Sequence, residues 1–112
     1  MQMVRGDTHK FKFIRKTKSG ETIMLKPEKV YVTFKYNEER EALFQKTLDN
    51  GIIFNETTGY YHVEIKPEDT NELPFGTLVY DIEIINNANK VKTLKVGTLE
   101  LKKEVTFKNN EV

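Results

Sequence analysis

Alternation of apolar and polar residues runs through most of the chain. In KVYVTFKY, Val30, Val32, Phe34 and Tyr36 fall on one face, and Tyr31, Thr33 and Lys35 on the other. YYHVEIK sets Tyr61, Val63 and Ile65 against Tyr60, His62 and Glu64, and LVYDIEII sets Leu78, Tyr80, Ile82 and Ile84 against Val79, Asp81 and Glu83. Successive side chains of a strand point to opposite faces, so a period of two predicts half-buried strands. Phe11 and Phe13 anchor an earlier strand, and Ile23 with Leu25 a short one. No window has helical spacing, apart from room for one turn of helix after Pro67 in KPEDTNELPFG.

Turn chemistry separates the strands. Lys18-Ser19-Gly20-Glu21, Asp49-Asn50-Gly51, Thr57-Thr58-Gly59 and Asn86-Asn87-Ala88-Asn89 supply residues that accept positive φ or bond their own backbone. Asn37 to Glu41 reads as a charged, mobile loop and Lys108 to Val112 as a frayed tail. Turns every ~8–12 residues predict a sandwich or barrel. In TLKVGTLELKKEVTF, Leu94 and Val96 are even-numbered, whereas Leu99, Leu101, Val105 and Phe107 are odd. An inward face cannot change parity within a regular strand, so a bulge or break is expected at Gly97, where the strand could cross between sheets. The expected core contains Phe13, Val32, Phe34, Val63, Ile65, Tyr80, Ile82 and Leu101.

The 112 residues suit a single domain spanning 1–112, with no repeat or linker. Hydrophobic residues make up 38% and charged residues 31%, the balance of thin layers with one wet face each. A net charge of +1 provides no long-range attraction to nucleic acid or anionic membrane. Without cysteine, disulfides, thiol catalysis and zinc–thiolate sites are excluded. No apolar run approaches the roughly 20 residues of a membrane-spanning helix, and no apolar h-region follows the N-terminus. Synthesis in the cytoplasm without a cleaved export signal is therefore expected.

Catalytic material is sparse. His62 and Glu64 would face Asp81 and Glu83 if their strands were neighbours, and four such groups could hold a divalent cation. A solvated sheet face with cross-paired charges is the plainer reading, so no catalytic, metal or cofactor site is expected. Asn55-Glu56-Thr57 matches a glycosylation sequon, but turn chemistry accounts for it. Arg5-Gly6-Asp7 spells an integrin-binding tripeptide, yet nothing in the sequence places it on a protruding loop of an exported protein.

Taken in order, VRGDTHKFKF, KSGETIMLKPEKVYVTFKY, GYYHVEIKPEDTNELPFGTLVYDIEI and KVKTLKVGTLELKKEVT resemble the small immunoglobulin-like domains of tailed-phage tails. Among these, the pattern is similar to the N-terminal domain of the phage baseplate upper protein. It closes on Thr93-Leu94, Gly97, Leu99, Leu101 and Val105-Thr106, and the match covers nearly the whole chain. Leu78 departs from it, standing where relatives often carry a tyrosine.

The resemblance implies an immunoglobulin-like β-sandwich of seven to eight mostly antiparallel strands, with Gly6-Asp7-Thr8 leading into the first. It further implies a non-enzymatic structural protein of a phage or prophage tail or baseplate. Such a protein would be made in the bacterial cytoplasm, reside in the virion and dock to other tail proteins. A carbohydrate- or host-receptor-binding module is the alternative, with Tyr31, Tyr60 and Phe75 as outward aromatics. Docking is expected at sheet edges, either Thr98 to Glu104 or the strand from Lys10 to Arg15, whose alternate charges discourage indiscriminate pairing. Thr98, Glu100, Lys102, Tyr60 and Phe75 are the candidate contact residues, and the free protein is expected to be monomeric or weakly self-associated.

Overall fold

The computed structural model describes residues 1–37 and 41–103. Most of the Asn37–Glu41 loop, the tail from Lys108, and Glu104, Val105, Thr106 and Phe107 lie outside the described residues. The strands are β1 (Gln2–Val4), β2 (His9–Ile14), β3 (Lys29–Lys35), β4 (Phe44–Leu48), β5 (Gly51–Phe54), β6 (Tyr60–Ile65), β7 (Gly76–Ile85) and β8 (Val91–Lys102). The one helix among the described residues is a single turn, α1 (Pro67–Thr70), placed where Pro67 predicts it. Asp69 secures that turn by accepting the Lys66 N–H at 2.7 Å.

Hydrogen bonding runs continuously in the order β1-β8-β7-β3-β4-β5-β6-β2. β1–β8 and β4–β5 pair in parallel, and the remaining pairs are antiparallel. The ladder folds over at β4–β5, where Asp49 (φ 66°) and Gly51 (φ 100°) loop the chain tightly so that it continues parallel to itself. β5-β6-β2 thereby comes to face β1-β8-β7-β3-β4, and both layers contribute to one core. The result is an all-β sandwich built from one continuous mixed sheet that nearly closes into a barrel, with β2, β6 and β5 opposite β3, β7 and β8. The Ile23–Leu25 strand does not form: only Lys16 and Thr22 make an isolated bridge there, and Leu25 is exposed.

Alternation sets the core. Val30, Val32, Phe34, Tyr61, Val63, Ile65, Leu78, Tyr80, Ile82 and Ile84 are all buried, with Leu99 and Leu101 from β8. Phe13 departs from the expected core: it is half-buried, with its ring stacked 4.7 Å from Tyr61. The layers meet at Tyr80 of β7, whose ring centroid lies 6.1 Å from Phe11 of β2 and 5.5 Å from Phe34 of β3. Lys46 of β4 occupies an inward position opposite Val32 and is buried, and its ammonium pairs with Asp69 of α1. A Cβ at Gly51 would strike the Lys46 stem, so the buried lysine and the tight β4–β5 loop are fitted to each other.

The parity break in β8 is real but lies elsewhere. Ladder register holds from Gly76↔Leu101 through Ile82↔Lys95 and then shifts to Glu83↔Thr93, leaving Leu94 as the extra residue. Gly97 sits three positions later in regular pairing with Tyr80, and β8 follows β7 throughout without crossing to the other layer. Its own role is steric: a Cβ there would lie 2.7 Å from the Tyr80 hydroxyl and 2.8 Å from Cζ. The aromatic ring covers the bare backbone of its cross-strand neighbour. Because Phe11 and Phe34 flank Tyr80, the ring has little room to yield. Gly97→Val should therefore destabilise the protein by about 1–3 kcal/mol, the usual cost of overpacking. Combined with Tyr80→Leu, the same substitution should cost much less; a urea double-mutant cycle measures the coupling.

Candidate protein-docking edges

Among the described residues β2 ends the ladder on one side and pairs only with β6, so the expected Lys10–Arg15 edge is an edge strand of the sheet. At the other end, β1 covers part of β8. Gln2, Met3 and Val4 pair with Glu100, Leu101 and Lys102, and the Met1 amino group donates to the Thr98 carbonyl at 3.3 Å. The Thr98, Glu100 and Lys102 side chains are exposed as expected. Their backbone is less available than expected, because a strand too short to read by alternation pairs there. Among the described residues no strand covers the first half of β8, from Val91 to Gly97, where both Val91 and Val96 are exposed.

The aromatic candidates are both engaged by cations. Lys12 Nζ lies 4.4 Å above the Tyr60 ring, and the Arg5 guanidinium lies 4.1 Å from the Phe75 centroid. Each contact occupies one face of a ring on which a sugar would stack. Tyr31 is half-buried.

The same arginine decides the reading of Arg5-Gly6-Asp7. A strand precedes the tripeptide, so Gly6-Asp7-Thr8 leads into the second strand of the chain and not the first. Gly6 adopts φ 82° in the β1–β2 turn, and its N–H donates to Thr70 Oγ1 at 2.9 Å. Arg5 donates through Nη1 to the Leu73 carbonyl at 3.1 Å. The tripeptide is a turn bound down onto the α1–β7 connection, which is the opposite of a presented ligand.

The acidic quartet is not assembled. His62 and Glu64 lie on β6, between β2 and β5, whereas Asp81 and Glu83 lie on β7, between β3 and β8. Among the described residues no group of His, Asp and Glu is placed to hold a metal ion. Asn55 serves as turn chemistry predicts, its Oδ1 accepting the N–H groups of Thr57 and Thr58 at 2.9 and 3.1 Å. A shallow depression on the outer face of β5-β6-β2, lined by Lys10, Ile53, His62, Glu64 and Lys66, mixes both signs of charge without converging on a point.

No protein-family model matches the chain, and no curated protein is significantly similar to it.

One titratable group reports on the flank between β2 and β8. Burial lowers the pKa of His9 below its ordinary 6.5, and the nearby N-terminal ammonium lowers it further. The unfolded chain then binds a proton more readily than the fold does. His9 therefore adds a pH dependence in which stability is level above about pH 6.5 and declines as pH falls through the lower folded value. Urea midpoints at pH 7.5 and 5.5 should differ less in His9→Gln than in the parent; an unchanged difference would assign the acid sensitivity to other groups.

Proposed function

We propose that this protein is a non-enzymatic structural component of a phage or prophage tail or baseplate, docking to other virion proteins through a sheet edge. The observation that carries this reading is the ordered series of landmarks from Gly6-Asp7-Thr8 to the Thr93–Leu101 segment, similar to tail immunoglobulin-like domains across nearly the whole chain. The open backbone of β2 and of the first half of β8 supports an edge as the docking element, since such edges in natural proteins are covered, charged or used. The bacterial cytoplasm is the place of synthesis in this reading, and the virion is the destination. Saccharide recognition is the less favoured reading, because Tyr60 and Phe75 each have a cation over one ring face.

The test is mass spectrometry of density-purified particles from an induced lysogen or lytic infection that carries the gene. Peptides of this chain should co-fractionate with tail proteins at a constant ratio, and immunogold should mark the tail end. Complete absence from washed particles would overturn the virion assignment. Light scattering of the free protein after gel filtration should give the monomer mass at micromolar concentration, and a salt-resistant dimer would contradict the docking model.

A further inference from the structure

The two ends of the ladder are neighbours, because β1 and β2 are joined by residues 5–8 alone. β1 fills the gap between them only opposite Glu100–Lys102. Beyond that point, among the described residues, no strand lies between β2 and the Val91–Gly97 half of β8. Side-chain burial records the gap. On β6 the inward residues Tyr61, Val63 and Ile65 are completely buried, whereas their partners on β2, Phe13, Phe11 and His9, are only half-buried. Leu94 at the bulge is half-buried too. The sandwich is open along this seam.

The backbone of β8 is directed into it. Glu100 N–H donates to the Met1 carbonyl, Arg5 N–H donates to the Lys102 carbonyl, and the Thr98 carbonyl accepts from the N-terminus. Even-numbered residues in this stretch thus turn their peptide groups away from β7. The register is unbroken from Leu101 to Lys95, so Val96 has the same parity and presents both its N–H and its C=O to the seam. The flanking charges divide between the two faces. On the inward face Lys92 and Lys95 stand beside Ile84 and Ile82, while Asp81 and Glu83 of β7 lie on the outward face opposite Val96 and Thr93. In a chain of net charge +1 the inward face is thus a local concentration of positive charge beside unpaired backbone.

We infer that the seam between β2 and the Val91–Thr98 edge of β8 is a strand-acceptor site for an extended acidic segment of a partner protein. The segment would add to β8 by main-chain hydrogen bonds at the N–H and C=O of Val96 and the N–H of Thr98, whose carbonyl already accepts from the N-terminus. Its carboxylates would lie on the inward face beside Lys92 and Lys95, which share that face with Ile84 and Ile82, and its apolar side chains on the outward face beside the exposed Val91 and Val96. Lysines along the edge also oppose pairing with a second, identical edge, which favours a partner of opposite charge over another copy. This inference rests on the protein-docking reading above and locates the docking within it.

The test uses the isotope-labelled full chain with two synthetic heptapeptides, one alternating valine and glutamate and one alternating valine and lysine. The glutamate peptide should shift the amides of Val91–Thr98 and slow hydrogen exchange at Val96 and Thr98. The lysine peptide should bind at least about tenfold more weakly, the effect expected of a few exposed ion pairs. Val96→Pro removes an edge-facing N–H without removing a bond to β7, and should abolish the exchange protection while the urea midpoint stays near the parent's. Should that variant fold poorly, Lys92→Glu combined with Lys95→Glu serves instead and should invert the peptide preference. Equal binding of the two peptides, or no change at Val96 and Thr98 with either, would overturn the site. So would slow exchange at these amides in the protein alone, which would mean that the seam is already covered, or tighter binding of an oligothymidylate. If the site fails while the chain still co-fractionates with tails, docking lies elsewhere on the domain and the proposed function stands.

Discussion

The Tyr80 ring fixes the relation between the two layers. It projects from the middle of β7, meets Phe11 across the sandwich and Phe34 beside it, and lies over the bare backbone of Gly97. These contacts couple three decisions that could otherwise be independent: the spacing of the layers, the register of β8 on β7, and the side of β7 that faces inward. Aromatic contacts of this kind contribute roughly 0.5–1.5 kcal/mol each beyond area burial, so their loss together would matter to a domain of this size. Once Gly97 is held opposite Tyr80, Leu99 and Leu101 fall inward automatically, and the mismatch that remains further up the strand is absorbed at Leu94.

A second constraint acts at the fold-over between β4 and β5. An inward lysine would ordinarily argue against β4 as a sandwich strand, because an isolated buried ammonium is costly. Here the stem of Lys46 packs where Gly51 leaves space and its head pairs with Asp69, which also holds the first turn of α1. Breaking such a pair generally costs more than making it gains, so its main effect is to tie α1 to the corner of the sheet. α1 in turn receives the Gly6 turn through Thr70. One end of the sandwich is thus bound together by polar contacts, and the aromatic stack holds its middle.

What the chain discloses before folding follows from this physics. β3, β6 and β7 lie at central positions in the ladder, and their alternation is unambiguous because one face of each is fully buried. β4 was hidden by Lys46 at an inward position, β5 by its four-residue length, and β1 by having only three residues, of which Met3 alone is buried. Ile23 and Leu25 mimic alternation, but no neighbouring strand receives them. The bulge is legible as a parity conflict but not its position, since the glycine at 97 is explained instead by a ring seventeen residues away in sequence. Exposure of Thr98, Glu100 and Lys102 was legible; coverage of their backbone was not, since it depends on the opposite end of the chain.

That last pairing has a consequence for synthesis. β1 leaves the ribosome well ahead of β8, with Gln2 matched to Glu100 and Val4 to Lys102. At translation rates of roughly 5–20 residues per second, β1 waits about 5–20 s for its partner. Closing so long a loop is entropically slow compared with hairpins such as β7–β8, so β1 docks late even after release. Until then the whole outer edge of β8 is bare, and any chaperone or co-expressed partner that captures newly made chains meets a longer strand edge than the mature domain displays.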